Sequence, residues 1–427
     1  RAARTTCFLK ALLKRRLFVI NGLRIKYRIH LSRLSKIPGP AQADSKKRPV
    51  LHEFIEQVTS DHPALKASEA ALAAARARAK GQSRPIYNPE VEVGYENAAE
   101  VTKEVGLSQT FDWSGKRRAR TGVGRAESDA AEASYAIAKN ALLSDILKAL
   151  SDHQTASRLL GVAARREELS ERFLELATRR HKAGEMPQAE LLTARLALAE
   201  ARVAKNEAML ALSVAEESLV AITGEDRQAW PHLRGAPVDT IAAQQTIAYE
   251  RLPELRLALA QTEIARAQIR VAKSERMPDP TVGVRVGEEG SSSLVGVSAS
   301  IPIPIRNSYR DEVNAAGSDL LEAQQNYYAE NRRVRARYDA SLKRYLAASQ
   351  AWGLWQGQGA EPLKEQRLLL GKLLEARQID TINYLIQLNQ TFATEEASVE
   401  LNGRLWNAWF DWQDAGATVD AWLETIQ

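Results

Sequence analysis

The side chains that carry most protein chemistry are scattered in this sequence. His30, His52, His62, His153, His181 and His232 are its histidines, and none forms an HxxxH or HExxH pattern, the spacing that stacks two ligands on one helix face. His153 and His181 fall within helical patterns and read as structural. Cys7 is the single cysteine, which leaves no internal disulfide and no Cys-based zinc site. Met186, Met209 and Met277 are too few for a soft-metal relay. No glycine-rich phosphate loop follows a strand pattern, and no nucleophile elbow appears. The expectation is a protein with no catalytic, cofactor-binding or metal-ligating residues, and not an enzyme. One charged pattern is regular. Glu90, Glu92, Glu96, Glu104 and Asp112, with Arg285 as a counter-charge, are interleaved with apolar residues. Acidic pairs such as Glu167-Glu168 and Glu216-Glu217 read as solvated helix faces, and the interleaved acids read differently. They coat one face of a strand.

The elements that position them follow from the same alternation. Val91, Val93 and Tyr95 alternate with Glu90, Glu92 and Gly94, and Val282, Val284 and Val286 alternate with Thr281, Gly283 and Arg285. A period of two is a strand with one apolar face. Polar loops follow at 97–103 and 287–293, and each leads to a second alternating run. The first run sets Val105, Leu107, Phe111 and Trp113 against Glu104, Ser108, Thr110 and Asp112. The second carries Val295, Val297, Ala299, Ile301, Ile303 and Ile305. Two hairpins result, with strands expected at about 89–97, 103–113, 280–287 and 294–304.

The hairpins lie in a duplicated unit. His62-Pro63-Ala64-Leu65-Lys66 and Leu252-Pro253-Glu254-Leu255-Arg256 each open an Ala-rich helical stretch with Pro in the first turn, and the two prolines are 190 residues apart. Each helix stops at a Pro break, Asn88-Pro89 or Asp279-Pro280, at a spacing of 191. Val105-Gly106-Leu107-Ser108 and Val295-Gly296-Val297-Ser298 match at a spacing of 190. Both hairpins end in a breaker with basic residues, Ser114-Gly115-Lys116-Arg117-Arg118 and Pro304-Ile305-Arg306-Asn307. A very long helical pattern follows each. The first runs from about Lys116 to His181, a rod on the order of 100 Å at 1.5 Å per residue, longer than any globular domain needs. The rods turn at Lys182-Ala183-Gly184-Glu185-Met186-Pro187 and at Glu375-Ala376-Arg377-Gln378-Ile379-Asp380. In the returning helix Leu192, Leu196, Ala199, Val203, Leu210 and Val214 keep coiled-coil steps. Gly353, Gly357, Gly359 and Pro362 interrupt the second rod and predict a kink. The expected organisation is a leader over 1–43, a first repeat over 44–222, a linker over 223–250 and a second repeat over 251–427.

The net charge of +6 belongs to the leader. Of 59 Lys and Arg, 11 lie in residues 1–43, which hold no Asp or Glu, so the remaining 48 face 53 acids. The body is mildly acidic, and a nucleic-acid partner loses its main support. Ala43 followed by Asp44 resembles a signal-peptidase site, but basic residues break the apolar core that should precede it. The leader reads as a damaged, mis-framed or mis-started export signal, with a basic disordered tail as the alternative. No run of about 18 apolar residues is present, so no transmembrane helix is expected.

Strands of about ten residues have the length of a membrane barrel strand. Four per chain cannot close a barrel, and open edges do not persist in lipid, so a membrane reading requires an oligomer. Two chains give eight strands and a filled interior; three give twelve and leave a lumen. Glu90, Glu92, Glu104, Asp112 and Arg285 would then face water, and Tyr95, Phe111 and Trp113 the lipid interface. The alternative is a pair of soluble hairpins.

With repeat, hairpins and rods in place, the chain resembles the TolC-like outer-membrane efflux proteins over residues 50–425. The resemblance is carried by the Pro63-Ala64-Leu65 helix start, by Asn88-Pro89 before the strand, and by Lys182-Ala183-Gly184-Glu185 leading to Glu190-Leu191-Leu192. It implies a mainly α fold with membrane β: a homotrimer with a twelve-stranded barrel in outer-membrane lipid and an α-helical tunnel through the periplasm. It also implies a periplasmic adaptor protein and an inner-membrane RND pump as partners. The tunnel-tip positions map to Gly184 and Glu190 in the first repeat and to Arg377 and Asn383 in the second. There the family often has Gly and an acid, so Asp380 is a nearby substitute. Gly-Leu-Ser-Gln-Thr-Phe-Asp and Val-Ser-Ala-Ser-Ile-Pro-Ile-Pro look most similar to the heavy-metal branch, the CzcC, CnrC and NccC type, which implies cobalt, nickel, cadmium or zinc as cargo. A duct of the same shape for drugs or protein secretion, and a coiled-coil scaffold without a pore, are the competing expectations.

Overall fold

A computed structural model describes residues 51–225, 230–237, 248–376 and 381–425. Ala43, Asp44, Arg377 and Asp380 lie outside the described residues. Two short helices open the described chain, α1 over Leu51–Asp61 and α2 over Pro63–Gln82. The α2 start shows why a histidine stands before its proline. His62 Nδ1 accepts from Ala64 N at 3.3 Å and so caps the helix. That makes Nε2 the protonated nitrogen, and it lies 2.9 Å from the Ile222 carbonyl oxygen, tying α2 to the end of a distant helix.

Strands β1 (Glu90–Asn97) and β2 (Val101–Thr110) form the first hairpin. Helix α3 then runs from Lys116 to Lys182, 67 residues without a break, and α4 returns over Gln188–Thr223. The second copy opens with α5 (Pro253–Glu275), followed by β3 (Thr281–Glu289) and β4 (Ser292–Ser300). The expected second rod is two helices, α6 over Arg310–Gln358 and α7 over Ala360–Ala376. The interruption sits at Gly359, where the Trp355 ring packs against the Cα and leaves no room for a Cβ. Gly359 N donates to Trp355 O and Gly359 O accepts from Leu363 N, so one helix ends and the next begins on the same residue. Helix α8 (Thr381–Ala415) returns, and α9 covers Val419–Thr425.

The strands form one antiparallel sheet in the order β1-β2-β3-β4, so the two hairpins lie side by side, and among the described residues the outer edges of β1 and β4 have no strand partner. The hairpin ends are tighter than their polar runs imply. Gly290 at φ +58° closes the second in two residues, and its N–H donates to Val101 O in the first. β4 stops at Ser300 although the alternation continues to Ile305, because Pro302 and Pro304 have no N–H for a ladder.

The aromatic core gathers on α8, where Trp406, Trp409, Phe410 and Trp412 are buried. They meet Tyr345 from α6, Phe54 from α1 and Trp230 from the segment between the repeats. Tyr345 stacks on Trp412 at 5.3 Å, and Phe54 meets Trp230 edge-on at 6.0 Å. The Gln154 side chain brackets Leu233, donating to its carbonyl and accepting from its N–H, both at 2.9 Å. The segment that carries no long element in the sequence is thus pinned at Trp230 and Leu233. Between this belt and the sheet, the helices approach on small residues. A Cβ on Gly124 of α3 would fall 2.8 Å from the Ala79 Cα of α2, so the two backbones nearly touch.

Candidate functional site

The sheet register sorts its residues into two unlike faces. On one, Val93, Val105, Val286 and Val295 form a row across all four strands, and Val91, Leu107, Val284 and Val297 form the next. All eight are exposed, Val93 and Val295 at 78% each. A soluble monomer does not keep such a patch in water. On the other face the rows are Glu92, Gly106, Arg285, Gly296 and Gly94, Glu104, Gly287, Leu294. Long side chains alternate there with glycine. Glu104 lies over Gly94, where a Cβ would come within 2.8 Å of its Cγ, and Arg285 lies over Gly296, where a Cβ would come within 2.7 Å of its Nε. Arg285 Nε and Glu104 Oε2 are 3.8 Å apart, and Ser108 Oγ reaches Glu92 Oε1 at 3.5 Å. Crowding relieved by glycine on one face, and bulky valines side by side on the other, is what a curved sheet shows on its concave and convex sides.

Glu90, Glu92, Glu104 and Arg285 share the polar face, with Glu96 and Glu289 at its far end. Asp112 does not join them. It lies beyond the end of β2 and accepts from the backbone N–H groups of Lys116 and Arg117, both at 2.8 Å, so it caps α3. The correction has a local reason: four orphan donors at the start of a long helix claim the nearest carboxylate.

Where sheet meets helices, a buried ionic cluster joins the repeats. Lys116, first residue of α3, and Asp279, two residues before β3, are 6% and 5% exposed, and Lys116 Nζ lies 3.0 Å from Asp279 Oδ2. Tyr87 donates its hydroxyl to Asp279 at 2.8 Å. Glu275 holds Lys116 at 3.5 Å and Arg120 at 3.1 Å. Burial alone would push the Asp279 carboxyl up, but Lys116, Tyr87 and Ser114 hold it below its ordinary value. Burial likewise opposes the Lys116 charge, and Asp279 and Glu275 outweigh it, raising that ammonium. In the sequence these positions show only a basic cluster and a Pro break, and the one signal for a pair is that both recur at the same point of each repeat.

At the other end of α3, Gly184 adopts φ +77° and is exposed. Ala183, Gly184 and Glu185 donate back to the last carbonyls of α3, which closes the helix. The His181 ring reaches Met186 O at 2.8 Å. Pro187 precedes α4, and half-buried Glu190 sits in its first turn, where an acid favours the helix dipole. Asn383 is an exposed residue near the start of α8. Its neighbour Tyr384 is fully buried and stacks on Phe173 of α3 at 4.9 Å, with burial pushing its hydroxyl up to about 12. Tyr384, Leu388, Phe173, Met186 and Leu191 share one core, so the ends of both repeats meet here.

Residues 54–225 match the family model described as outer membrane efflux protein. Together with the duplicated helix, hairpin and long-helix fold, that match makes the chain similar to the TolC-like outer-membrane efflux proteins. The chain is 27% identical to Protein CyaE of Bordetella pertussis over 354 residues, covering 72% of this chain and 74% of that protein. It is 23% identical over 259 residues to the cobalt-zinc-cadmium resistance protein CzcC of Cupriavidus metallidurans, covering 58% of this chain and 61% of that protein, less than two thirds of its length. The CmeC outer membrane channel of Campylobacter jejuni shares the fold, with a TM-score of 0.74, 14% identity, and coverage of 91% of this chain and 94% of that one.

Proposed function

We propose that this protein is the outer-membrane duct of a tripartite export system for divalent metal cations, cobalt, nickel, cadmium or zinc. It works as a homotrimer with a periplasmic adaptor and an inner-membrane RND cation pump. The observation that carries the reading is the two-faced sheet. The valine rows face lipid, and the glycine-relieved face with Glu90, Glu92, Glu104 and Arg285 lines the lumen. Three chains join the open edges of β1 and β4 into twelve strands, and the acids make the lumen hospitable to cations. The similarity to CzcC supports the cargo. The higher identity to CyaE favours, as a second reading, a duct of the same shape for another cargo.

Deleting the gene and measuring growth on nickel, cobalt, cadmium and zinc, and on dyes and antibiotics, separates these readings. Metal sensitivity is the expected result. Unchanged metal tolerance with lost drug tolerance would reject the metal cargo. The tip, with Gly184, Glu190, Arg377, Asp380 and Asn383, is the proposed docking and gating end. Glu190→Ala or Arg377→Ala is expected to change adaptor cross-linking or single-channel leak while the trimer survives. Wild-type values in both assays would remove these residues from the tip function.

A further inference from the structure

The duplication lets the buried junction be compared with its own copy. Lys116 and Arg120 recur 190 residues later as Arg306 and Arg310, and Glu275 and Asp279 have their counterparts 191 residues earlier at Arg84 and Asn88. Within the chain, two cations face two carboxylates at the seam between β2 and β3. At the matching positions of the other copy, which the proposed ring would bring together between β4 of one protomer and β1 of the next, stand three arginines and an amide, with Asp311 and Glu312 following Arg310 in the first turn of α6. Arg84, Arg306 and Arg310 are exposed, and among the described residues none of them has an ion-pair partner. A repeat that kept its fold has replaced both acids of one seam.

We infer that each seam between protomers binds the phosphate of an anionic phospholipid through Arg84, Arg306 and Arg310. The inference rests on the ring of protomers proposed above. The cluster lies where the strands end and the helices begin, the level of the periplasmic headgroups. On the segment that carries Arg306, Ile303 and Ile305 are 73% and 83% exposed, apolar surface placed for acyl chains. Trp113, 61% exposed with its Nε1 donating to Pro278 O at 2.6 Å, marks the same level, since Trp favours the membrane boundary. Three exposed guanidiniums without an ion pair among the described residues, beside apolar surface, match a phosphodiester carrying acyl chains, whereas a second carboxylate pair would have matched a protein seam.

The test uses delipidated full-length protein in detergent, incubated with phosphatidylglycerol, with phosphatidylcholine or with inorganic phosphate, and read by native mass spectrometry. The wild-type trimer is expected to retain up to three phosphatidylglycerols in preference to phosphatidylcholine, and millimolar phosphate is expected not to displace them. Arg84→Gln with Arg306→Gln is expected to weaken retention about 25-fold, about fivefold for each cation removed. Asn88→Asp, which restores a carboxylate, should weaken it while leaving the trimer intact. Equal retention by wild type and the double variant, no preference for the anionic lipid, or displacement by free phosphate would overturn the inference. If the double variant does not assemble, Arg84→Gln alone gives the same reading. A lipid-free spectrum without trimer would instead sink the oligomer itself.

Discussion

Asp279 holds one carboxylate against an ammonium, a phenol and a hydroxyl where the protein changes from strand to helix. Removing one member of a buried pair leaves the other charge uncompensated, at a cost of about 3–5 kcal/mol. Asp279→Asn is therefore expected to loosen the joint between sheet and tunnel by about that amount, seen as a lower temperature for trimer dissociation on semi-native gels. The pH dependence has two limbs. Asp279 is depressed in the fold, so its contribution is complete above the unfolded value of about 3.9 and is lost as pH falls through the folded one. Lys116 is raised, so its contribution is complete below about 10.4 and is lost as pH rises through the folded value. The dissociation temperature should be flat between these limits in wild type and should lose its acid limb in Asp279→Asn. A limb that persists in the variant would assign the acid sensitivity elsewhere.

The elements show which parts of this architecture a sequence displays. A period of two displays strand faces, and a spacing of 190 or 191 displays the duplication, because both repeat over many residues and no distant contact alters them. What stays hidden depends on one side chain meeting another far away. Trp230 lies in a stretch of glycines and prolines, yet it fills the gap between Phe54 and His153. Asp112 continues the strand alternation in sequence and leaves it in space, because the start of α3 takes its oxygens. Gly359 is one glycine of three in that stretch, and only the Trp355 ring makes it the breaking point. The face assignment can be tested on adjacent residues of β4. Val297→Arg places a cation in lipid, at about 2–4 kcal/mol near the bilayer centre, and is expected to abolish insertion into outer-membrane fractions. Ser298→Arg points to the glycine-bearing face and should insert normally. The reverse pattern would invert the sheet.

For the whole molecule, the ring proposed above would make the paired faces of one sheet the wall of a shared conduit. The polar face carries Glu90, Glu92, Glu96, Glu104 and Glu289 against Arg285, so a lumen lined by it should pass cations in preference to anions. Glu92→Gln with Glu104→Gln removes two acids per protomer and releases Arg285 from its partner. The ratio of cation to anion permeability, from reversal potentials in planar bilayers under a salt gradient, is expected to fall. Each kT lost from the lumen potential lowers it about sevenfold. An unchanged ratio would place selectivity in the helical tunnel.

The tight hairpin ends have a consequence for how such a cell is seen from outside. One turn is residues 98–100 and the other is residues 290–291. In the proposed orientation, with the tunnel directed inward, these two turns are the part of the described chain nearest the cell exterior. Antibodies raised against intact bacteria and phages seeking a receptor would then find little loop to hold. A peptide tag inserted at Ala99 is the economical way to make the protein visible on living cells.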